Sequence, residues 1–255
     1  MRSLSERTAL AGLVECPLPL ACIDHSFYCL TMRSRNEPIG QRRSFIEEAR
    51  RVQIEAAAIA SVNDVGYHRA SMADIASRAG IAKSAIAYYY DYKEALLLQI
   101  VDGAFSALGA ALVAAVPTTG SAAQRLAAYA EAYLEHVDRH RTAIAAAAEI
   151  VVSHRGADGR PLYLDEQDQD TALLRNVLKA GMDSGEFRPL PIDVAVAIVE
   201  SLLDRTIMMV QRDASADLSV YRSTVVPFLL SALAPDHPLV PDHPLPDHPA
   251  DPGSS

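Results

Sequence analysis

Several side chains between residues 71 and 93 could bind the phosphates and base edges of a nucleic acid. Lysine, serine and tyrosine donate hydrogen bonds to phosphate oxygens, and lysine also reads the acceptor edge of guanine. Lys83 is therefore the best candidate for a guanine contact, while Ser71, Tyr89 and Lys93 are candidates for backbone contacts. The full set of predicted contact residues in this segment is Ser71, Lys83, Ser84, Ala85, Tyr88, Tyr89 and Lys93.

Two short helices joined by a tight turn would position these side chains. Ser71, with the acidic Asp74 three positions later, is typical of a capped helix N-terminus. Gly80 is typical of a helix C-terminus, because glycine adopts the left-handed conformation at little cost. Apolar residues recur at helical spacing on both sides of this glycine, at Met72, Ile75, Ala76, Ala79, Ile81, Ile86 and Tyr90. The pattern predicts a helix-turn-helix, which places its second helix in the DNA major groove.

The next helix begins with a second capping pattern. Asp91 is the predicted N-cap and Glu94 the acidic residue at the third helical position. Lys93 then lies in the first turn, beside backbone N–H groups that have no partner within the helix. A lysine there opposes the helix dipole, unless it and the N–H groups hold one DNA phosphate together.

A long helix is predicted ahead of this motif, from about Gln41 to Val65. Its predicted buried stripe consists of Phe45, Ala49, Val52, Ala56 and Ile59. Arg42 and Arg43 stand at its beginning, where cations are unfavourable unless a phosphate lies nearby. DNA contact and simple solvation both stay open for these two arginines.

The segment from Ala56 to Leu96 resembles the DNA-binding region of TetR-family transcriptional regulators. The resemblance rests on Ala56–Gly66 and on Tyr67, Ser71, Asp74, Ile75, Ala76, Ala79, Gly80, Ile81, Tyr90, Lys93, Glu94 and Leu96. It implies a repressor that binds double-stranded DNA as a homodimer and leaves a palindromic operator when its helical body binds a small-molecule effector.

The sequence departs from the family pattern at three positions. The family usually has a tyrosine where this chain has Ala87, a small hydroxyl residue at Ala82 and a glycine at Ser84. The family's tyrosine is a phosphate contact, so we expect Tyr88 or Tyr89 to replace it. The departure keeps open an alternative: a helical ligand-binding or scaffold protein with a degenerate helix-turn-helix and no DNA binding.

Composition and charge agree with a small cationic head on an acidic helical body. Alanine, leucine and valine are abundant and tryptophan is absent, which favours an all-α fold of about nine helices. The formal charge is −9, but residues 32–93 hold ten basic and seven acidic residues. That segment therefore carries about +3 and the remainder about −12, a distribution that suits a head facing phosphates.

The body is predicted to contain six helices: about Asp91–Val116, from Ser121, from Arg141, and about Asp165–Asp183, Ile192–Arg212 and Leu218–Leu233. The helix over Ile192–Arg212 has apolar residues on adjoining faces, and one protomer's core uses only one of them. The resemblance implies that this helix and the last one pair with a second copy of the chain in a four-helix interface, and the second apolar face supports that pairing. The resemblance implies an effector pocket in this region, with Tyr129, Tyr133, His136, Glu149, Met182 and Met208 as candidate lining residues.

The predicted domain limits follow composition. Residues 1–38 are expected to be a disordered extension, or sequence upstream of a natural start at Met32, and residues 235–255 a disordered Pro/His/Asp-rich tail. The DNA-binding domain covers 39–92 and the effector-binding and dimerisation domain 93–234. All three cysteines precede residue 30, which favours a reducing cytoplasm over a disulfide framework.

No catalytic motif emerges from the sequence. GxSxG, HExxH and phosphate-binding glycine loops are absent, so neither an enzyme nor a cofactor is predicted. His136 and His140 lie one helical turn apart and could form a metal site with Asp138 or Glu149. Such histidines are more often polar residues at a helix end, and no metal is predicted. No membrane partner is predicted either, since the apolar runs after Ser121 and Arg141 fall short of about 20 residues.

Overall fold

The structure, a computed structural model, describes residues 41–156, 159–160 and 171–235, with side chains from residue 46 onward. Within these ranges the chain forms nine α-helices, which confirms the predicted all-α fold. Their bounds are α1 Gln41–Val65, α2 Met72–Ala79, α3 Lys83–Ile86, α4 Lys93–Ala115, α5 Ala122–Arg139, α6 Arg141–Ser153, α7 Ala172–Ser184, α8 Ile192–Arg212 and α9 Ser219–Leu233. The predicted extension over 1–38, the three cysteines and all but Pro235 of the predicted tail lie outside the described residues.

Local sequence signals fix most helix ends. The Ser71 side chain accepts a hydrogen bond from the Asp74 backbone N–H at 3.1 Å, and Gly80 closes α2 at φ 64°. Ser121 and Gln124 form a reciprocal capping box at the start of α5. These caps satisfy N–H and C=O groups that have no partner inside the helix.

The start of α4 differs from the prediction. Its N-cap is Tyr92, with extended backbone at φ −150° and ψ 165°, and no side chain caps it. Asp91 lies one residue too early, in the bend that follows the buried Tyr90, so the predicted capping box does not form. Lys93 is nonetheless in the first turn of the helix, as predicted.

The predicted buried stripe of α1 is wrong at three of its five residues; Ile59 is partly buried, and the Phe45 side chain lies outside the described part. Ala49, Val52 and Ala56 are exposed, with Val52 at 56%. The helix packs on α2, α4 and α6 through an adjoining face made of Ile54, Ala57, Ala58, Ser61 and Val62. Alanines occur on several faces of α1, so its composition alone does not determine which face is buried. The helices that pack against α1 determine it.

Two hydrophobic clusters hold the described helices together. The head core joins α1, α2, α3 and the first half of α4 to Ala146, Ala147 and Ile150 of α6. The body core joins the second half of α4 to α5, α7, α8 and α9, and includes Ile144 and Ala145 of α6. Helix α6 therefore belongs to both cores, and its alanines let α1 and α4 approach it closely.

Helix α4 is long and apolar enough to span a bilayer by length and composition. The same properties are found in helices that form protein cores. Its inward residues are split between the two clusters, with Leu96, Leu97 and Ile100 in the head core and Leu108 and Leu112 in the body core.

Candidate nucleic-acid interface

The helix-turn-helix presents its polar residues outward because its apolar residues are fixed in the head core. Ile75 and Ile86 are fully buried, one on each side of the turn. The turn is closed by the backbone N–H of Ile81, which donates to the Ala76 carbonyl at 3.0 Å. Lys83 and Ser84 consequently stand exposed at the start of α3, with Ala85 half-buried beside them.

Two tyrosines extend this surface past the end of α3. Tyr88 is 67% exposed, and its ring meets that of Tyr89 edge-on with a centroid distance of 5.0 Å. The Arg51 guanidinium carbon lies 5.5 Å from the Tyr89 ring centroid, which places a cation beside the same surface. Arg51 was missed from sequence, where it reads as one of several arginines on α1.

Tyr90 anchors the recognition segment instead of facing outward. Its ring is 5% exposed, and its hydroxyl donates to Oε1 of Glu55 on α1 at 2.7 Å. Burial, followed by the hydrogen bond to Glu55, raises the pKa of Tyr90 well above its ordinary value. The hydroxyl therefore stays protonated and remains a donor to Glu55.

A polar network braces α2 against α1. The Ser61 hydroxyl donates to Asp74 Oδ2 at 2.5 Å, and Arg78 Nε donates to the same oxygen at 2.8 Å. Arg78 also pairs with Asp64 at 2.6 Å. The Ser61 hydrogen bond, and then Arg78, lower the pKa of Asp74. The carboxylate is thus held ionised where it fixes the angle between the two helices.

The residues predicted to contact the DNA backbone lie in different environments. Ser71 is exposed at the α2 N-cap, with its side chain already bonded to Asp74. Lys93 is half-buried: its Nζ donates to the Tyr67 carbonyl at 3.1 Å and lies 4.7 Å from the Tyr67 ring centroid. Arg42 and Arg43 are in the first turn of α1, but their side chains lie outside the described part. The phosphate contacts of all four residues stay predictions.

The loop that receives Lys93 is tied to the end of α6. The Tyr67 hydroxyl and His154 Nδ1 are 2.9 Å apart, within hydrogen-bonding distance. The Tyr67 backbone N–H donates weakly to Glu149 Oε1, which also accepts from Ser153 Oγ at 3.2 Å. Glu149, predicted as an effector contact, therefore serves this head-to-α6 connection.

The other predicted effector residues are dispersed. Tyr129 and Tyr133 lie in the body core, where Tyr133 donates a short hydrogen bond to Asp204 of α8. Burial, followed by the nearby Asp204 carboxylate, raises the pKa of Tyr133. Met182 packs at the edge of the body core, and Met208 is 52% exposed on α8.

His136, another predicted effector residue, lines a cavity among the described helices. The cavity has a volume of about 270 Å³ and is bounded by α1, α4, α5 and α6. The His136 and His140 ring centroids are 4.4 Å apart. Desolvation, then His140 and Arg139, lower the pKa of His136. No group of three metal-ligating side chains occurs in the described ranges.

A second concavity lies on α8 and α9. It has a volume of about 630 Å³ and an almost entirely apolar lining. Val194 and Ile198 on α8 and Phe228 on α9 are each at least half exposed here. We call this surface the α8–α9 groove; it is lined by Asp193, Val194, Ala197, Ile198, Ser201, Leu202 and Phe228.

Comparisons with known proteins agree with this architecture. Residues 54–100 match the sequence model described as bacterial regulatory proteins, tetR family. Over 67 residues the chain is 39% identical to the HTH-type transcriptional regulator BetI of Pectobacterium carotovorum subsp. carotovorum (strain PC1). That match covers 26% of this chain and 34% of BetI, so it spans about a third of the relative's length.

Two solved structures share the fold over most of the chain. A tetR-family regulatory protein from Rhodococcus RHA1 is 23% identical, with a TM-score of 0.63, covering 74% of this chain and 98% of that one. FadR from Bacillus subtilis, solved in complex with stearoyl-CoA, is 21% identical with a TM-score of 0.61, covering 71% and 98%. Residues 54–100 thus match the tetR family model, and the helical architecture of the described residues is shared with these solved structures.

Proposed function

We propose that this chain is a cytoplasmic DNA-binding transcriptional regulator that acts as a homodimer and is released from its operator by a small-molecule effector. The observation that carries the proposal is the exposed, polar α3 surface held on a fully packed head core, within the segment that matches the family. A degenerate scaffold would have no need to keep Lys83, Ser84 and Tyr88 exposed on a rigid support.

In this proposal α3 enters the major groove and Lys83, Ser84, Ala85 and Tyr88 meet base edges. Ser71, Tyr89 and Lys93 fix the register on the phosphates, and Arg42 and Arg43 add charge from α1. Lys93 is held by the Tyr67 carbonyl in the free protein, so a phosphate contact requires it to exchange or share that bond.

The second copy of the chain would cover the α8–α9 groove. An exposed aromatic and two exposed β-branched residues in one concavity form the kind of apolar surface that a partner buries. A two-fold pair formed there would hold two recognition helices at a fixed spacing, as successive major grooves of a palindromic site require.

The effector would act by favouring a second spacing of the two heads. FadR from Bacillus subtilis was solved with stearoyl-CoA, and we propose that the body of this chain likewise accommodates a small molecule of its own. The shift is limited by the difference in effector affinity between the two states. Repression is the proposed outcome on DNA, and no catalytic step is assigned to the chain.

The test is fluorescence anisotropy with duplexes tiling the DNA upstream of the chain's own gene, at several salt concentrations. We expect one fragment to bind tightly, and Lys83→Ala to weaken that fragment about 5- to 100-fold, the range for losing one base contact. The matched control is Lys179→Ala, an exposed lysine of the body paired with Asp183. Binding that shows no salt dependence, or equal effects of the two substitutions, would refute the proposal and favour the scaffold alternative.

A further inference from the structure

We propose that the cavity bounded by α1, α4, α5 and α6 binds a small organic cation, with an N–H-bearing ammonium group attached to an apolar body. This proposal names the chemical class of the effector and the site where it binds. It rests on the effector-controlled function proposed above. The site differs from the pocket that the sequence analysis placed within the helical body, because α1 of the head forms part of its wall.

Small residues open the cavity at a crossing of four helices. Gly103, Ala104 and Ala107 of α4 face Ala143 of α6, and larger side chains there would fill the space. The apolar walls come from Ile59, Ile100 and Ile144, one each from α1, α4 and α6. At about 270 Å³ the cavity is near the small end of ligand pockets, which suits one ring or a short chain.

His136 is a buried polar group aimed into this space without a protein partner. The residue is 7% exposed, and neither ring nitrogen makes a hydrogen bond to any residue of the described ranges. Desolvation lowers the pKa of His136, so near neutral pH the ring is uncharged and offers one nitrogen as an acceptor.

Glu55 supplies the charge that selects the ligand's sign. Its carboxylate lines the cavity and forms no ion pair with a basic side chain of the described ranges. Its one hydrogen bond within those ranges comes from the Tyr90 hydroxyl, although a carboxylate can accept about four. An anionic ligand would be repelled by this carboxylate, whereas an ammonium group would pair with it.

Four polar residues line the cavity, Glu55, Gln99, His136 and His140, and the first three offer acceptors to one ammonium group. An ammonium carries N–H groups for the Glu55 carboxylate, for the free imidazole nitrogen of His136 and for the amide oxygen of Gln99, which also lines the cavity. Its apolar body would lie against the isoleucines. Because Glu55 also accepts from Tyr90, a bound cation would share the carboxylate that anchors the recognition segment. The cavity thus links an occupant in the body to the head.

The experiment is calorimetric titration of the full chain without DNA, so that its result does not depend on whether the chain binds an operator. The probes are 2-phenylethylamine, the neutral 2-phenylethanol and the anionic 3-phenylpropionate, which share a ring and differ in the charge of the end group. We expect the amine to bind with a Kd of about 1 mM or below, and at least about 10-fold more tightly than either analogue.

Three variants locate the site. Glu55→Gln keeps an acceptor for Tyr90 but removes the charge, and should weaken the amine about 10-fold or more. Gly103→Leu should abolish binding by filling the cavity, and the backbone accommodates a side chain because an added Cβ meets no atom within 4 Å. Gly109→Leu, on the same helix and equally open at Cβ, is the control and should bind like the wild type. Equal affinity for the three probes, or amine binding unchanged by both Glu55→Gln and Gly103→Leu, would overturn the proposal.

Discussion

Replacing Phe228 with glutamate should dissociate the proposed dimer without unfolding the protomer. The ring is 58% exposed on α9 and lines the α8–α9 groove beside Val194 and Ile198. If a second copy covers the groove, the substitution exchanges an apolar contact for a buried charge that has no cationic partner among the groove's lining residues. In the free protomer the same side chain is largely in water, so its folding should change little.

The size of the effect follows from the exposed area. An aromatic side chain has roughly 200 Å² of surface, of which 58% leaves about 120 Å² available for burial on each protomer. At about 25 cal/mol per Å² this is about 3 kcal/mol per protomer and about 6 kcal/mol for the two-fold pair. A loss of that size would raise the dimer dissociation constant by about 10⁴-fold.

Sedimentation velocity over a range of protein concentrations measures this change, with circular dichroism to verify that the helices remain. The control is Val113→Glu, which removes an equally exposed apolar residue (63%) from α4, away from the groove. We expect Phe228→Glu to sediment as a protomer where the wild type and Val113→Glu sediment as dimers. A Phe228→Glu dimer of undiminished stability would refute the assignment of this groove as the interface.

Two further substitutions test the packing. Gly181→Ala should lower the free energy of unfolding by about 2 kcal/mol, because a Cβ would come within 2.8 Å of Cγ of the buried Phe187 ring, and overpacking outweighs alanine's helix preference. Gly109→Ala, where an added Cβ meets nothing within 4 Å, should instead stabilise by about 0.5–1 kcal/mol; urea denaturation measures both, and a shared sign would contradict the reasoning. Ser61→Ala should lower the thermal midpoint by about 2–4 °C at neutral pH, since a buried hydroxyl loses its bond to Asp74. Because the Ser61 hydrogen bond is the main cause of the lowered Asp74 pKa, the stabilisation from this bond is present above the ordinary carboxyl pKa and lost in acid. The difference in thermal midpoint between the wild type and Ser61→Ala should therefore narrow as the pH falls, and a difference that does not narrow would refute this account.

The recognition surface was largely predictable because its signals are local. Ser71 and Gly80 mark the ends of α2, and exposed Lys83 and Ser84 follow directly once the apolar positions are assigned inward. Arg51 was not predictable, since it reaches Tyr89 only because the tertiary fold brings α1 beside the segment that follows α3. The two residues are 38 positions apart in the sequence, so no short sequence pattern reveals their contact.

The candidate effector site was mostly beyond the sequence. Six residues were predicted for it, and of these only His136 lines the cavity seen among the described helices. Tyr133 does face inward, but its hydroxyl donates to Asp204 of α8 and does not line the cavity. Glu55, the acidic residue of the proposed ligand site, sits on α1, which the sequence analysis placed in the DNA-binding domain.

By itself the sequence determined the helices, their order and the place of the recognition motif, because helix formation and capping depend on neighbours within about four residues. It could not choose which of two alanine-rich sides of α1 is buried, nor bring Glu55 to Tyr90 and, with His136, to the lining of one cavity. Those outcomes depend on the way helices distant in sequence pack together. Small residues such as Gly103 and Ala143 leave a cavity only where the packed helices meet.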